Sequence, residues 1–432
     1  MITDFSKIKH VHFIGIGGIG ISAIARMLML EGKKVTGSDR DESEVTGELE
    51  KIGISVTIGQ SEKNVPAKAD LVIYTIAITD DNLELMKARK VGIECITYPQ
   101  ALGIISKDKF TIAVAGTHGK TTTTAMIAKM LIDAKMDPTV IVGSFLKDQQ
   151  SNFIAGKSKY LVVEACEYKR SFLNLYPNIL VITNIDDDHL DYYKDIEDIK
   201  SAFRELIKKT ASDGSIVCDL EMPHIGDVVR SIETTVVDYE LFGDMNLALK
   251  IPGAHNLSNA AAVLAVADVL GIPRVQAKKS LESFSGTWRR FEYKGSTKKG
   301  VKIYDDYGHH PTEIMATLKG TRELFPDKKI IAIFQPHLYS RTKQHLKEFA
   351  RAFSDVDQVI IAPIYAAREP EDPSISAAIL SDQIIMNNGS SVALPSFEAI
   401  EKYITDECKK GDIVITMGAG DIYKVGEHLL SK

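Results

Sequence analysis

Two glycine-rich turns, each placed between a short apolar strand and a helix, constrain this chain more than any other feature. The first, Gly15-Ile-Gly-Gly-Ile-Gly20, follows the apolar run from Val11 to Ile14, and the second, Gly116-Thr-His-Gly-Lys-Thr121, follows the run from Phe110 to Ala115. Such turns bring backbone amides to a helix N-terminus, where the amides bind phosphate groups. The sequence therefore predicts two separate phosphate sites, each on an α/β fold.

Short β-branched runs alternate with helix-length stretches along the chain, which is typical of parallel sheets covered by helices. The 432 residues are enough for roughly two to four domains. A polar stretch ends the first unit near Lys107, and Gly295-Ser-Thr-Lys-Lys-Gly300 has the composition of a linker. We therefore expect three α/β domains at residues 1–107, 108–294 and 295–432, of which the first and third are Rossmann-like and the second resembles a P-loop ATPase.

The composition excludes several classes of protein. Hydrophobic residues make up 44% and charged residues 25% of the chain, which argues against disorder. The net charge of -6, from 52 basic and 58 acidic residues, provides no overall positive field for nucleic acid or an anionic membrane. The four cysteines are widely spaced and argue against a disulfide framework or a zinc site. We find no signal peptide and no membrane-spanning run, so the expected location is the cytoplasm.

The first turn fits the GxGxxG pattern, in which backbone amides approach a diphosphate at a helix N-terminus. Asp39 ends the next predicted strand, where a carboxylate can accept hydrogen bonds from a ribose. These residues alone leave three interpretations open. The turn belongs to an NAD-dependent enzyme, binds a nucleotide sugar, or only packs a helix closely against its sheet.

The second turn predicts chemistry on a phosphoryl group. Its amides and Lys120 would hold the β- and γ-phosphates, and the hydroxyl of Thr121 would reach Mg²⁺. Val114 stands where the general GxxxxGK[ST] pattern has its first glycine. Two phosphate loops on two domains argue against a simple dehydrogenase, because that enzyme has no use for ATP.

The second loop, extended to Thr124, resembles the ATP loop of the Mur ligase family, the ATP-dependent amide ligases of peptidoglycan precursor synthesis. Other segments are similar to the same family in the expected order over essentially the whole chain. They are Gly15 to Gly20, Glu164-Ala-Cys-Glu167, Thr183-Asn-Ile-Asp-Asp-Asp-His189, His255-Asn-Leu-Ser-Asn259, Arg289-Arg-Phe291, Asp305-Asp-Tyr-Gly-His-His-Pro-Thr-Glu313, Phe334-Gln-Pro-His337 and Met417-Gly-Ala-Gly-Asp421.

The resemblance implies a reaction. The segments are most similar to those of family members that join L-alanine to the lactyl carboxylate of UDP-N-acetylmuramate through an acyl phosphate, with ATP giving ADP and phosphate. It implies the UDP-sugar on the first domain, ATP on the second and the amino acid on the third, with hinges near Lys107 and Gly295. A ligase that adds a tripeptide to the same UDP-sugar is the nearest alternative. An NAD(P)-dependent oxidoreductase is a more distant one, because it leaves Glu164 and His189 unexplained.

The resemblance also implies the site residues. The UDP-sugar would contact Gly15, Gly17, Gly18, Ile19, Gly20, Ser38 and Asp39. ATP would contact Gly116, Thr117, His118, Gly119, Lys120, Thr121, Thr122, Asn256, Asn259, Arg290 and Asp306, with the two asparagines at the adenine and Asp306 near the ribose. L-alanine would contact Tyr307, His309, His337 and Arg341.

Two Mg²⁺ ions, with Mn²⁺ as a substitute, complete the implied site. Thr121 and Glu164 would bind one ion and His189 the other. The residues that would act in catalysis are Lys120, Glu164, His189 and His309. An arginine fork is the expected receptor for the alanine carboxylate, because it forms two parallel hydrogen bonds. Leu338 stands where many relatives carry a second arginine, so this prediction depends on Arg341.

Overall fold

The computed structural model describes residues 4–146, 151–190, 192–230, 232–367 and 369–431. These residues form three β-sheets. The chain divides into two compact units, which we call the first unit (Met1–Leu247 with Ser258–Phe284) and the second unit (Ala248–Leu257 with Ser285–Lys432). In the part of the chain that is described, no helix is both long and apolar enough to cross a membrane.

The first sheet is parallel and has the strand order β3-β2-β1-β4-β5. Its strands are β1 His10–Ile14, β2 Lys34–Asp39, β3 Ser55–Ile58, β4 Leu71–Tyr74 and β5 Glu94–Thr97. Its helices are α1 Ile19–Leu30, α2 Glu44–Lys51, α3 Leu83–Lys90 and α4 Tyr98–Lys107, with a short 3-10 helix at Glu62–Asn64. The order reverses at β1, and this switch point is where open α/β sheets bind nucleotides. The first glycine turn directly follows β1.

The second sheet has the order β12-β11-β10-β6-β9-β7-β8 and is parallel except for β8. Its strands are β6 Phe110–Ala115, β7 Thr139–Leu146, β8 Ser151–Ile154, β9 Tyr160–Glu164, β10 Ile179–Ile182, β11 Ser215–Cys218 and β12 Thr235–Asp238. The helices are α5 Lys120–Asp133, α6 Ile196–Ile207, α7 Ile225–Val229, α8 Ala254–Val269 and α9 Arg274–Ser283, with 3-10 segments at Tyr168–Asn174 and Tyr239–Phe242. The strand predicted before the second glycine turn is thus confirmed.

The first two sheets belong to the same compact unit. Helix α1 packs against β7 and β8, and one hydrophobic core cluster contains Phe13 from the first sheet and Phe153 from the second. The chain segment that connects the two sheets, from the end of α4 to the start of β6, is also held by a buried hydrogen bond. In this bond, Thr111 Oγ1 donates to the carbonyl oxygen of Ser106 at 2.9 Å. The chain is therefore packed on both sides of Lys107, and the hinge near this position stays a prediction.

The third sheet has the order β13-β14-β18-β15-β16-β17 and is parallel except for β13. Its strands are β13 Glu292–Ser296, β14 Lys302–Asp306, β15 Ile330–Phe334, β16 Gln358–Ile361, β17 Ser391–Ala393 and β18 Ile413–Met417. The helices are α10 Pro311–Leu324, α11 Tyr339–Gln344, α12 Leu346–Arg351, α13 Ala377–Met386, α14 Phe397–Glu407 and α15 Tyr423–Ser431.

The segment from Gly295 to Gly300 is a hairpin turn, which corrects its interpretation as a linker. Gly295 lies within β13, and the backbone N–H of Thr297 donates to the carbonyl oxygen of Val301 at 2.9 Å. Gly300 has a φ of 79°, a backbone conformation that favours glycine. The glycine and lysine content therefore reflects a tight antiparallel connection, and the boundary between the two compact units comes earlier, after Phe284.

Candidate active site

The second glycine turn joins β6 to α5. Gly116 and Gly119 have φ angles of 136° and 80°, which favour glycine. A Cβ at Gly119 would also come within 2.6 Å of Asn259 Oδ1, so a glycine is required there for space as well. Helix α5 begins at Lys120, and the N–H groups of its first turn have no partner within the helix. This is the geometry of a phosphate-binding loop.

Lys120 lies under this loop. Its Nζ donates to the carbonyl oxygens of Gly116 and Thr117, at 2.6 and 2.9 Å, and to Glu167 Oε1 at 3.0 Å. Burial acts to lower the pKa of Lys120, but the neighbouring Glu167 carboxylate outweighs this effect and the pKa is raised. Lys120 is therefore held charged, and Glu167, to which the sequence assigned no role, is its buried counter-ion.

Thr121 and Glu164 are paired at the start of α5 and the end of β9. Thr121 Oγ1 donates to Glu164 Oε2 at 3.0 Å, and the backbone N–H of Gly143 donates to the same oxygen at 2.8 Å. Two oxygen ligands on adjacent octahedral positions of Mg²⁺, each about 2.1 Å from the ion, lie about 3 Å apart. The two side chains therefore fit the predicted binding of one divalent ion.

His189 lies beside Glu167. Its Nε2 is 3.7 Å from Glu167 Oε1, and its ring packs against Tyr168 with 4.8 Å between the ring centroids. The residue has a φ of 55°, a left-handed backbone conformation that histidine adopts more often than most residues other than glycine. An imidazole nitrogen and a carboxylate oxygen at this separation are within reach of one divalent ion. The pair fits the prediction of a second ion, with Glu167 as the carboxylate beside His189.

The residues that support the phosphate loop follow β10, and the sequence did not predict this supporting role. The backbone N–H of His118 donates to Asn184 Oδ1 at 2.8 Å, and its carbonyl oxygen accepts from Thr183 Oγ1 at 2.6 Å. The ring Nε2 of His118 is 3.2 Å from Asp186 Oδ2. These residues lie beside the loop because β10 pairs in parallel with β6, and the carboxyl ends of neighbouring parallel strands meet at one edge of the sheet.

The first glycine turn is held by the end of β2. The carbonyl oxygen of Ser38 accepts from the backbone N–H groups of Gly15 and Ile16, at 2.8 and 3.0 Å. Asp39 Oδ2 accepts from the N–H of Gly17 at 2.7 Å. The predicted acid therefore lies at the turn, where its carboxylate fixes the loop backbone.

The Ser38 side chain is fully buried, and its hydroxyl donates to Glu84 Oε2 at 2.6 Å. The hydroxyl of Ser38 therefore faces the interior and its carbonyl supports the turn, while the UDP-sugar contact of this residue stays a prediction. Glu84 also accepts from Asn64 Nδ2 at 2.9 Å and lies 3.3 Å from His12 Nε2. Burial acts to raise the pKa of Glu84, but hydrogen bonds from these three side chains lower it below its usual value.

Glu84→Gln should destabilise the protein by about 1–3 kcal/mol at neutral pH, since the amide cannot accept at both positions. Because the folded state lowers the pKa of Glu84, the carboxylate stabilises the fold above its ordinary pKa of 4.5, and this contribution is lost as the pH falls through the folded-state pKa. Thermal unfolding between neutral and acidic pH would measure both effects. Glu48→Gln, at an exposed pair with Lys51, is the control, and an equal loss there would contradict the prediction.

The second unit brings together the four residues predicted to bind the amino acid. The ring centroids of Tyr307 and His309 are 5.5 Å apart, and those of His309 and His337 are 6.1 Å apart. Arg341 Nη1 is 3.4 Å from His337 Nδ1. Tyr365, which was not predicted, stacks on His337 with an interplanar angle of 16°. A guanidinium among aromatic rings is suited to a small molecule that carries a carboxylate.

Leu338 precedes α11 with a φ of 70° and a ψ of 136°, a backbone conformation rare for a residue with a side chain. Its N–H donates to the carbonyl oxygen of Tyr365 at 2.9 Å, and only 6% of the residue is exposed. The side chain therefore packs in the interior, and the guanidinium of this cluster comes from Arg341, as predicted from the sequence.

Glu313 links two of the predicted residues. Its carboxylate accepts from the backbone N–H of His309 at 3.1 Å and lies 3.4 Å from Arg290 Nη1. Sequence reasoning missed this role. The signal was the capping pattern, since α10 starts with Pro311 and carries a glutamate at its third position.

Asp306 and Asn256, two predicted ATP contacts, bind backbone groups of the second unit. Asp306 is buried and accepts from the N–H groups of Phe291 and Gly308, at 2.8 and 2.7 Å, and burial raises the pKa of its carboxyl. Asn256 Nδ2 donates to the carbonyl oxygen of Pro252 at 2.6 Å. These bonds give both side chains a supporting role in the second unit, and their contacts with ATP stay predictions.

Taken together, the first unit carries the phosphate loop of an ATP-using enzyme and a separate dinucleotide-type turn, while the second carries a cluster suited to a small carboxylate. The chain belongs to the Mur ligase family, since models of that family's catalytic domain, its middle domain and its glutamate ligase domain match residues 10–110, 114–244 and 289–420. The resemblance seen in the sequence is thus confirmed, and an oxidoreductase is excluded.

The similar proteins extend over nearly the whole chain. The UDP-N-acetylmuramate--L-alanine ligase of Acetivibrio thermocellus is 43% identical over an alignment of 459 positions, which covers 99% of this chain and 97% of the relative. The crystal structure of UDP-N-acetylmuramate-alanine ligase MurC from Thermotoga maritima has a TM-score of 0.82 at 30% identity and covers 98% of both chains. A murein peptide ligase from Psychrobacter arcticus has a TM-score of 0.70 at 24% identity, also over 98% of both chains, and this likeness concerns the fold alone.

Proposed function

We propose that this protein is the ATP-dependent ligase that joins L-alanine to the lactyl carboxylate of UDP-N-acetylmuramate in peptidoglycan precursor synthesis. The observation that carries the proposal is the phosphate loop, in which a charged Lys120 and the Thr121–Glu164 pair lie in the same unit as a second nucleotide-type turn. The full-length identity to ligases named for this reaction supports the choice of substrates.

In the proposed reaction, a carboxylate oxygen of the UDP-sugar attacks the γ-phosphorus of ATP, and ADP leaves. The alanine nitrogen then attacks the carbonyl carbon of the acyl phosphate, and phosphate leaves with the electrons of the broken C–O bond. Lys120 and the amides of the first turn of α5 would stabilise the negative charge during phosphoryl transfer. Thr121 and Glu164 would hold one Mg²⁺ ion, and His189 with Glu167 the other, which when bound offset the phosphate charge.

The second unit would bind and deprotonate L-alanine. Arg341 would hold the carboxylate, with Tyr307 and His337 beside it. His309 Nδ1 is 3.2 Å from the carbonyl oxygen of Tyr307. A carbonyl oxygen can only accept, so Nδ1 carries a proton and Nε2 is the basic nitrogen of the neutral ring. We assign the removal of the proton from the alanine ammonium to Nε2.

Release of phosphate by the purified protein, with ATP and Mg²⁺, tests the proposal. The acceptors are L-alanine, glycine, L-serine and the tripeptide L-alanyl-γ-D-glutamyl-meso-diaminopimelate, each with and without UDP-N-acetylmuramate. We expect phosphate release to require the UDP-sugar and to be fastest with L-alanine, with UDP-N-acetylmuramoyl-L-alanine found by mass spectrometry. Faster release with the tripeptide would identify the recycling ligase instead.

A further inference from the structure

Tyr98 lies at the carboxyl ends of the strands of the first sheet, on the same side of the sheet as the first glycine turn. It is the first residue of α4 and directly follows β5, so it lies at the carboxyl ends of the parallel strands. The turn into α4 is fixed by a capping box between Thr97 and Gln100 and by Pro99 in the first helical turn. The backbone therefore holds Tyr98 in a defined position at this edge.

The phenol of Tyr98 packs directly against Gly20, the second residue of α1. A Cβ at Gly20 would lie 2.6 Å from the Tyr98 hydroxyl oxygen and 2.7 Å from its Cζ atom. Gly20 is not among the glycines with a positive φ, so its backbone would accept other residues. The last glycine of the GxGxxG turn is thus required for space, and the group that fills the space is this phenol.

The hydroxyl of Tyr98 is available as a donor. None of the residues that the structure describes forms a hydrogen bond with it, and the residue is partly exposed. Burial raises the pKa of Tyr98, and the nearby Cys166 and Glu164 add to the shift, so the phenol keeps its proton at neutral pH.

We propose that the Tyr98 hydroxyl donates a hydrogen bond to the diphosphate of the bound nucleotide sugar. This inference rests on the proposed function, which assigns the UDP-sugar to the first glycine turn. The first-turn N–H groups of α1 have no partners within the helix and favour an anion, and the phenol stands against that turn. A neutral donor fixed beside these amides adds a hydrogen bond to a charged oxygen without adding a charge to the site.

The substitution Tyr98→Phe tests this inference, because it removes the hydroxyl and keeps the ring that fills the space at Gly20. Calorimetric titration of the full chain should show UDP and UDP-N-acetylmuramate binding about 10-fold more weakly to the variant. The affinity for ATP and the melting temperature should not change, because the hydroxyl has no partner in the protein to lose. Uridine, which lacks the diphosphate, should compete equally well with both proteins.

Tyr160→Phe is the matched control, since Tyr160 lies in the same unit at the start of β9, where its ring packs against Phe110. Its affinity for UDP should equal that of the unmodified protein. An equal affinity for UDP in Tyr98→Phe would overturn the inference, and so would an equal weakening of uridine. If the unmodified protein binds UDP but releases no phosphate with L-alanine, the proposed function fails while the role of Tyr98 stands.

Discussion

Replacing Lys120 with alanine should lower the turnover of phosphate release by about 10³-fold while the affinity for UDP-N-acetylmuramate stays unchanged. The Nζ atom is held under the loop by the carbonyl oxygens of Gly116 and Thr117, so it is already in place before the γ-phosphate develops its charge. Loss of one such fixed donor commonly costs about 10²- to 10³-fold in rate, and here a full positive charge is lost as well. Single-turnover phosphate release and calorimetric titration of the UDP-sugar measure the two quantities.

Three control variants separate this effect from a general loss of structure. Lys129 lies on the same helix and forms a partly exposed ion pair with Asp133, so the variant Lys129→Ala should keep full activity. Lys120→Ala leaves the buried Glu167 without its counter-ion, so the double variant with Glu167→Gln should regain melting temperature but not turnover. Asp39→Ala should show the converse pattern, with weaker UDP-sugar binding and unchanged ATP binding. Loss of UDP-sugar affinity in Lys120→Ala would contradict the assignment of the two ligands to separate turns.

The strands and the glycine turns could be predicted because their signals are local. The apolar run of β6 ends at Ala115, the glycines follow, and α5 begins at Lys120, all within one stretch of sequence. Each step is encoded by neighbouring residues: β-branched and apolar residues in the strand, glycines at positive φ, and then a helix. The signals for β1 and the first turn are local as well, which is why the resemblance to a ligase family could be recognised from short motifs.

The pairings between distant segments could not be predicted. The counter-ion of Lys120 comes from the segment after β9, and the partner of Ser38 comes from α3. Side chains alternate between the two faces of a strand, so Ser38 and its neighbour Asp39 face opposite ways, and the sequence does not state which of them faces the ligand. A polar residue within a functional motif can therefore belong to the interior, as Ser38 and Asp306 do.

The turn before β13 depends on one buried arginine. Arg289 Nε donates to Asp305 Oδ2 at 2.8 Å, and its Nη1 and Nη2 donate to the carbonyl oxygens of Gly420 and Gly418, at 2.9 and 2.6 Å. The side chains of the ion pair are only 3% and 2% exposed, and the guanidinium lies 4.7 Å from the centroid of the Tyr423 ring. One side chain thus joins the start of the second unit's sheet to the loop after its central strand β18.

Arg289→Met should therefore lower the free energy of unfolding of the second unit by about 3–5 kcal/mol, which is the usual cost of removing one partner from a buried ion pair. The loss should be largest at neutral pH. Burial raises the pKa of Asp305 even with Arg289 beside it, and without the arginine the carboxyl takes up a proton more readily. A group whose pKa is raised in the folded state stabilises the fold at low pH, and this stabilisation is lost as the pH rises through the folded-state pKa. Acidification should therefore reduce the loss of unfolding free energy in Arg289→Met.

Denaturant unfolding of the full chain at several pH values measures this effect, and Arg322→Met provides the comparison. Arg322 also pairs with an aspartate of the second unit, Asp357, at 2.8 Å, but 28% of its side chain is exposed, so the loss should be nearer 1 kcal/mol. In the double variant Arg289→Met with Asp305→Leu, the deficit should shrink and its pH dependence should vanish, because the unpaired carboxyl is gone. If Arg289→Met lost little unfolding free energy, and the same amount at every pH, the prediction would be contradicted. The stabilisation by Arg289 would then come from its hydrogen bonds to the two glycine carbonyls rather than from the ion pair.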